Sequence, residues 1–420
     1  MNGLLSKKKE KGVPSLDRNP GITWYLAYFP NSIAMGIISV LIPLYLVEEL
    51  KGSLIDLGIM TFLATVSLIP SSLYLGRLPD RYRRAKPFIL ASFLGVSLVL
   101  FLMSVITNVT IFQLLYVLMN LVAYIKGPST SVLIAESFER SRWSSVLAKH
   151  GFVEGIGGAA GLAFCSFTIN QLGYGNLLKL TASLVLASVF LCLLAIHDVP
   201  IYVERFLDRL DRLTENIETF SYRLTDSGSL APNSQWRFGR EPNIALFGLG
   251  TAFFAFAASN AFTSLPVYLL VKAKLPISII FTSFLIRSIF GAISFLMSSK
   301  WVSSEGGGIV KLATVIRIIL ITLFPVTVLL PTPYSAVAIT AILSIIAFSW
   351  SLYSVGVDIV ILRYASSGSL GVYDALTGIG GAVGGLTGGL VPTFFGFEVL
   401  FIISSGLFAF ALVLFILGLK

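Results

Sequence analysis

Glu154-Gly155-Ile156-Gly157-Gly158-Ala159-Ala160-Gly161 recurs as Thr377-Gly378-Ile379-Gly380-Gly381-Ala382-Val383-Gly384, and Pro43-Leu44-Tyr45-Leu46 recurs as Pro266-Val267-Tyr268-Leu269. Both recurrences are displaced by 223 positions, although the two patterns lie more than a hundred residues apart in the chain. Chance similarity between apolar stretches does not preserve one offset at two distant places, so the chain is a duplication. Two related apolar halves facing each other suggest a machine that rocks about a central site.

The composition says where such a machine works. With 55% hydrophobic and 12% charged residues over 420 positions and a mean hydropathy of +0.87, the chain lies outside the range of soluble domains, which carry roughly 25% charge. It reads as an integral membrane protein. No charged residue occurs from Pro87 to Ile125, from Ile318 to Val357 or from Val399 to Leu419. About 20 apolar residues cross the hydrocarbon, so the two longer runs hold roughly two spans each. The apolar runs predict an all-α protein of twelve transmembrane helices, at roughly 21–47, 54–76, 87–106, 110–136, 147–170, 177–197, 242–271, 276–299, 309–330, 335–361, 371–393 and 398–419.

The net charge of +9 is explained by position rather than by a nucleic-acid partner. A cytoplasmic N-terminus gathers Lys7, Lys8, Lys9, Lys11, the cluster from Arg77 to Lys86, Arg140, Arg142, Lys149, Arg363 and Lys420 on one side, whereas Lys51, Lys179, Lys272 and Lys274 fall on the other. The positive-inside rule then places both termini in the cytoplasm of a multi-pass plasma-membrane protein. The polar start and the long first apolar run give no sign of a cleaved signal peptide. Cys165 and Cys192 fall within predicted helices and read as small packing residues.

Residues 198–241 form the one extended polar segment and separate a first six-helix half, 1–197, from a second, 242–420. Within it Ile201, Phe206, Leu207, Leu210, Leu213, Ile217 and Phe220 stand near helical spacing among charges, which predicts an amphipathic helix on the membrane surface. Pro30, Pro43, Pro70, Pro128, Pro266 and Pro325 fall inside predicted spans, where neighbouring helices can satisfy the freed carbonyls.

Between the second and third spans stands Gly76-Arg77-Leu78-Pro79-Asp80-Arg81-Tyr82-Arg83-Arg84, a short loop whose aspartate can accept from a helix N-terminus while the arginines hold phosphates or carboxylates. It resembles the signature loop of the major facilitator superfamily. Gly76, Asp80, Arg81 and Arg84 match that pattern, Arg83 replaces its second glycine, and Ala85 its final base, with Lys86 one place later. The twelve spans, the long middle loop, the six-plus-six repeat and the glycine-rich fifth helix extend the likeness over the whole chain. The resemblance implies the fold of that superfamily, a conformational latch at Gly76, Asp80, Arg81 and Arg84, and a central cavity lined by helices one, four, seven and ten with two, five, eight and eleven beside them. The family's exporters carry a Gly-Pro pair on the fifth helix, and the proline is missing here. Gly155 and Gly158 on the fifth helix and Gly378 and Gly381 on the eleventh are small residues that permit close helix approach, which predicts smooth faces on which the halves move.

Charges within spans are the candidates for substrate or ion chemistry, since each costs at least ~2.5–3.5 kcal/mol at mid-membrane unless paired or solvated. Lys126 and Glu154 stand at comparable depth on neighbouring helices and can pair, either statically or as a pair that a proton or an anionic substrate breaks. Arg287, at mid-depth, suits a substrate anchor or a role holding carbonyls or Asp358. Asn31 and Asn260 can bind a polar substrate or pair across the bundle. His150, a turn or so from the cytoplasmic surface, reads as a surface histidine rather than a proton relay, and Arg317 as a cation near the inner face that snorkels.

These features predict a secondary transporter of a small solute, an organic anion or polar metabolite, coupled to a proton or sodium ion and needing no other cofactor. It is expected to work as a monomer among membrane lipids, with Glu154 or Asp358 as proton carrier. The alternatives are a proton-coupled exporter of lipophilic compounds, suggested by the Phe-rich spans, and a sensor on the same fold. No Gly-x-x-x-x-Gly-Lys-Ser/Thr loop supports ATP-driven pumping, and two histidines with no recurrent acid motif give no basis for an enzyme.

Overall fold

The computed structural model describes residues 23–74, 84–138, 142–196, 243–301, 306–364 and 369–419. The latch residues Gly76, Asp80 and Arg81, and the linker with its expected amphipathic helix, lie outside them, while Arg84 is described and exposed. Among the described residues the structure is helical throughout. The first half comprises α1 (Thr23–Leu44), α2 (Leu54–Tyr74), α3 (Lys86–Met103), α4 (Val109–Tyr124), α5 (Lys126–Ser137) and α6 (Trp143–Ala195). The second comprises α7 (Ile244–Thr263), α8 (Leu265–Val271), α9 (Ile277–Trp301), α10 (Gly307–Leu323), α11 (Thr332–Tyr364), α12 (Ser369–Phe395) and α13 (Phe397–Gly418). In hydrocarbon only a helix satisfies its own backbone, which is why long apolar runs take this form.

Eleven helical segments of the described residues are long and apolar enough to cross a membrane. The longest of the helices, α6, has 53 residues, about twice a bilayer's need, and is interrupted at Gly173, where φ is 72° and ψ 171°. Its two limbs fold back on each other. Gly161 packs against Ile33 and Ser188 accepts a hydrogen bond from the Asn31 N–H at 2.8 Å, whereas 27 residues of straight helix would separate those positions by about 40 Å. Counting the limbs separately makes twelve such segments among the described residues.

The duplication is written into the turns. Gly173 and Gly396 stand one repeat apart, and both have positive φ, 72° and 86°. So do Lys51 and Lys274, at 56° and 50°. The bond from Gly52 N–H to Leu46 O at 2.9 Å recurs as Leu275 N–H to Leu269 O at 3.0 Å. Positive φ is costly for a residue with a Cβ, so its presence at both Lys51 and Lys274 marks a shared backbone template, and at Gly173 and Gly396 a glycine adopts it freely.

The prolines divide into two kinds. Pro30 and Pro43 lie inside α1 and Pro70 inside α2, whereas Pro266 opens α8 and Pro325 opens a short 3₁₀ turn. Pro128 falls in the first turn of α5, so the predicted helix 110–136 is broken at Ile125. A proline lacks the N–H that an unbroken helix would need there.

Large apolar side chains such as Leu98, Phe101, Phe167, Leu194, Phe394 and Ile402 are exposed. In water such a surface would aggregate, and in a bilayer it is solvated by lipid. Cys165 and Cys192 are both buried.

The two halves meet where α1 touches α8, α2 lies along α12 and α6 lies along α9. The glycines of α12 serve two neighbours. A Cβ on Gly380, Gly384 or Gly388 would strike backbone of α7 in the same half, Gly378, Gly385 and Gly389 face Ile69, Thr61 and Gly58 of α2 across the seam, and Gly381 stands between Ser259 of α7 and Thr65 of α2. The glycines of α6 act differently from the sliding face expected of them. Gly157, Gly158 and Gly161 pack on α1 of their own half, and Gly155 alone of this group looks across the seam, towards Ala292 at 3.8 Å.

Candidate functional site

In the first half, α1, α5 and the start of α6 bring six side chains together. Lys126 opens α5 and Glu154 lies three turns into α6, and Lys126 Nζ donates to Glu154 Oε1 at 2.7 Å. The pair is partly open, with side chains 21% and 36% exposed. A semi-exposed ion pair is cheaper to break than one sealed in a core, because water or a ligand can replace either partner.

His150 does not lie at the surface. Its ring stacks on Trp24, centroids 5.5 Å apart, and receives the edge of Tyr28 at 4.6 Å. Its Nε2 stands 3.6 Å from the same Oε1 that Lys126 holds, and its Nδ1 is buried with no hydrogen-bond partner. The Thr130 hydroxyl donates to Lys126 O at 2.8 Å, so in its 2.9 Å contact with Tyr28 the tyrosine hydroxyl is the donor. The position of His150 near the start of its helix predicts a surface place, on whichever face of the helix it falls. The contact of α6 with α1 puts that face against Trp24 and Tyr28 instead.

Among the described residues, the second half sets two arginines within its spans. Arg287, near the middle of α9, lies over the rings of Phe262 and Phe284 at 5.6 and 5.5 Å. Its Nε is buried without a hydrogen-bond partner. Arg317 of α10 does not snorkel: it is 3% exposed, donates from Nε to Ser349 Oγ at 3.2 Å and from Nη2 to Ile346 O at 3.4 Å, and is enclosed by Phe254, Trp350 and Phe408. Asp358, on α11, is exposed, and among the described residues it forms no ion pair with either arginine. Within the spans, Lys126 is thus shared with an acid, whereas the described contacts of Arg287 and Arg317 are rings and neutral oxygens.

Asn260 has its polar groups taken by the bundle. It is fully buried, donates to Ser404 Oγ at 2.8 Å and accepts from Thr387 Oγ1 at 2.7 Å, tying α7 to α13 and α12. Asn260→Ala is expected to cost about 1–3 kcal/mol, the penalty for breaking such a node, and to lower the melting temperature without changing solute affinity. Parallel thermal and binding titrations check this. Asn31 keeps its backbone N–H on Ser188, but its Nδ2 is buried and unpartnered, as is Trp24 Nε1. Three of the orphaned polar atoms, on Trp24, Asn31 and Arg287, are thus donors lacking acceptors. Among the described residues no cluster of three His, Cys, Asp or Glu side chains could hold a metal ion.

Comparison with known proteins gives a consistent frame. A family model described as Major Facilitator Superfamily matches residues 24–371. No curated protein matches the chain in sequence. Among solved structures, a point mutant of the nucleoside transporter NupG superposes with a TM-score of 0.72 at 15% identity, covering 96% of this chain and 100% of that one. NupG itself gives 0.69 at 14%, covering 96% and 99%. A bacterial homologue of the human lysosomal transporter Spinster, described as inward-facing and occupied, gives 0.62 at 13%, covering 94% and 95%. At these identities the likeness is one of fold.

Proposed function

The chain belongs to the major facilitator superfamily and is a multi-pass membrane transporter rather than an enzyme, and from that premise we propose that it carries a small organic anion by alternating access, coupled to a proton. Arg287 is the substrate anchor in this reading, and Lys126 with Glu154 the coupling pair. Both termini face the cytoplasm, and the six-helix halves on either side of residues 198–241 move as units around the site.

The observation that carries the reading is the Arg287 guanidinium, set within an apolar span with its buried Nε unpartnered. An arginine is not neutralised by losing its proton in a protein, so it must find its counter-charge elsewhere. Two ring faces supply part of the stabilisation, and an anion with two oxygens would complete the fork. The orphaned donors Trp24 Nε1 and Asn31 Nδ2 support an acceptor-rich ligand.

The test is a thermal-shift screen of the purified protein against organic anions, neutral metabolites and lipophilic cations. A ligand at a hundred times its Kd stabilises by about 2.7 kcal/mol whichever way it is transported. Anions are expected to stabilise the wild type, and Arg287→Gln to weaken them roughly 10- to 100-fold, the worth of a charge-assisted hydrogen bond or two. Stabilisation by lipophilic cations that survives Arg287→Gln would instead establish an exporter of such compounds.

A further inference from the structure

We propose that His150 is the proton-binding residue of this transporter, and that its protonation withdraws Glu154 from Lys126 and leaves the lysine free for an anion. The proposal rests on the reading of Lys126 and Glu154 as the coupling pair and deepens it by naming the group that switches them.

The geometry is that of two cation-forming groups competing for one oxygen. Lys126 Nζ holds Glu154 Oε1 at 2.7 Å, while His150 Nε2 stands 3.6 Å from the same atom, too far for a hydrogen bond. The lysine therefore owns the carboxylate in this structure, and stacking against Trp24 and Tyr28 holds the imidazole in reserve. His150 and Glu154 are four residues apart on one helix, so a side-chain rotation closes their gap without moving backbone. Lys126 comes from a different helix, α5, and its hold is the one that can be lost.

The vacant Nδ1 supplies the switch. With Nε2–H directed at Glu154, Nδ1 carries a bare lone pair, which tolerates a dry site better than an N–H would. A proton taken from water onto that lone pair leaves hydroxide or a deprotonated buffer behind and makes an imidazolium with a buried N–H that has no acceptor in its present position. The ring is then out of balance where it lies, and two positive groups share one carboxylate. The titratable and charged groups around the imidazole are Tyr28 from α1, Glu154 from α6 itself and, across the shared Glu154 Oε1, Lys126 from α5. Lys149 is exposed, and Lys86 of α3 directs its ammonium to Leu193 O at 2.9 Å. The nearest acceptor for the new charge is therefore Glu154. Once the carboxylate turns to the histidine, Lys126 is a semi-exposed cation without a counter-ion. Proton binding thereby raises anion affinity, and by reciprocity a bound anion raises proton affinity, which is the linkage of a symporter.

The chain has two histidines, His150 and His197, so His197→Gln leaves one imidazole to observe by NMR in the intact protein. The signals of His150 are expected to move between about pH 5 and 8, the range in which an imidazole changes charge. Their midpoint is expected to change in Lys126→Met, which removes the competitor. An anion taken from the screen is expected to bind about tenfold more tightly at the low-pH end in the His197→Gln protein, and His150→Gln to flatten that dependence. Signals that stay fixed, a midpoint indifferent to Lys126→Met, or undiminished pH dependence in His150→Gln each overturn the proposal. A protein that binds no anion at all overturns the substrate reading, while the NMR titration still decides whether His150 is coupled to Lys126.

Discussion

Gly161→Leu is expected to abolish the accumulation of folded protein. A Cβ at this position would fall on the Ile33 carbonyl of α1, and one turn earlier a Cβ on Gly157 would come within 2.6 Å of Ser32 Cβ. The obstacle at Gly161 is backbone, which cannot rotate aside as a side chain can. The helices would have to part along the most extensive helix contact of the molecule, giving up the Asn31–Ser188 hydrogen bond on the way. Overpacking usually costs 1–3 kcal/mol. Loss of a whole backbone approach belongs to the exceptional class above about 4 kcal/mol. Size-exclusion yield of the detergent-extracted protein reads the outcome, with Gly155→Ala as the control, since its Cβ meets only Ala292 at an ordinary 3.8 Å. A monodisperse Gly161→Leu protein with wild-type melting behaviour would refute the α1–α6 packing.

Arg317→Ala is expected to destabilise the second half by about 3–5 kcal/mol, the cost of emptying a large buried side chain. The guanidinium is the common contact of Phe254, Trp350 and Phe408, with centroid distances of 5.0, 5.2 and 5.8 Å. Removing it both opens a cavity and strips three ring faces of their cation. Arg317→Met separates the two effects, because it refills much of the space without the charge. Buried charges replaced by apolar groups of similar volume are often neutral or stabilising, so methionine is expected to lose less than half of what alanine loses. A methionine variant as unstable as the alanine variant would show that the cation itself holds the rings together. Melting curves of the three proteins in one detergent decide between these results.

The apolar runs, the charge-free stretches and the short repeats made the fold legible in the sequence. The span boundaries were blurred where a helix bends without leaving the apolar phase, as at Ile125 and Ser264. The repeat was visible where residues were kept and hidden where only backbone was kept. Lys51 with Lys274, and Gly173 with Gly396, are single identities whose near neighbours mostly differ, so neither pair stands out as a repeat. The site was less legible. Val310, Ala313, Thr314, Arg317 and Ile321 form one buried face of α10, at spacings that would reveal a core stripe in a soluble helix. In a bilayer the opposite face is equally apolar, so the stripe has no contrast and depth along the helix was the remaining guide. Depth carries no direction around the axis. The same limit applied to His150, whose burial depends on α1 arriving from more than a hundred residues away.

Lys126 and Ser349 occupy equivalent places in the two repeats, and the second repeat carries no charge at that position. A charge nonetheless stands beside it. Arg317 reaches from a neighbouring helix to place its Nε 3.2 Å from Ser349 Oγ. Each repeat therefore has a cation at or beside this position, carried on the position itself in the first and supplied by a neighbouring helix in the second. The first is paired with a half-open carboxylate, and the second is sealed among aromatic rings and neutral oxygens. A scaffold built from two like halves thus holds its charges in two unlike settings.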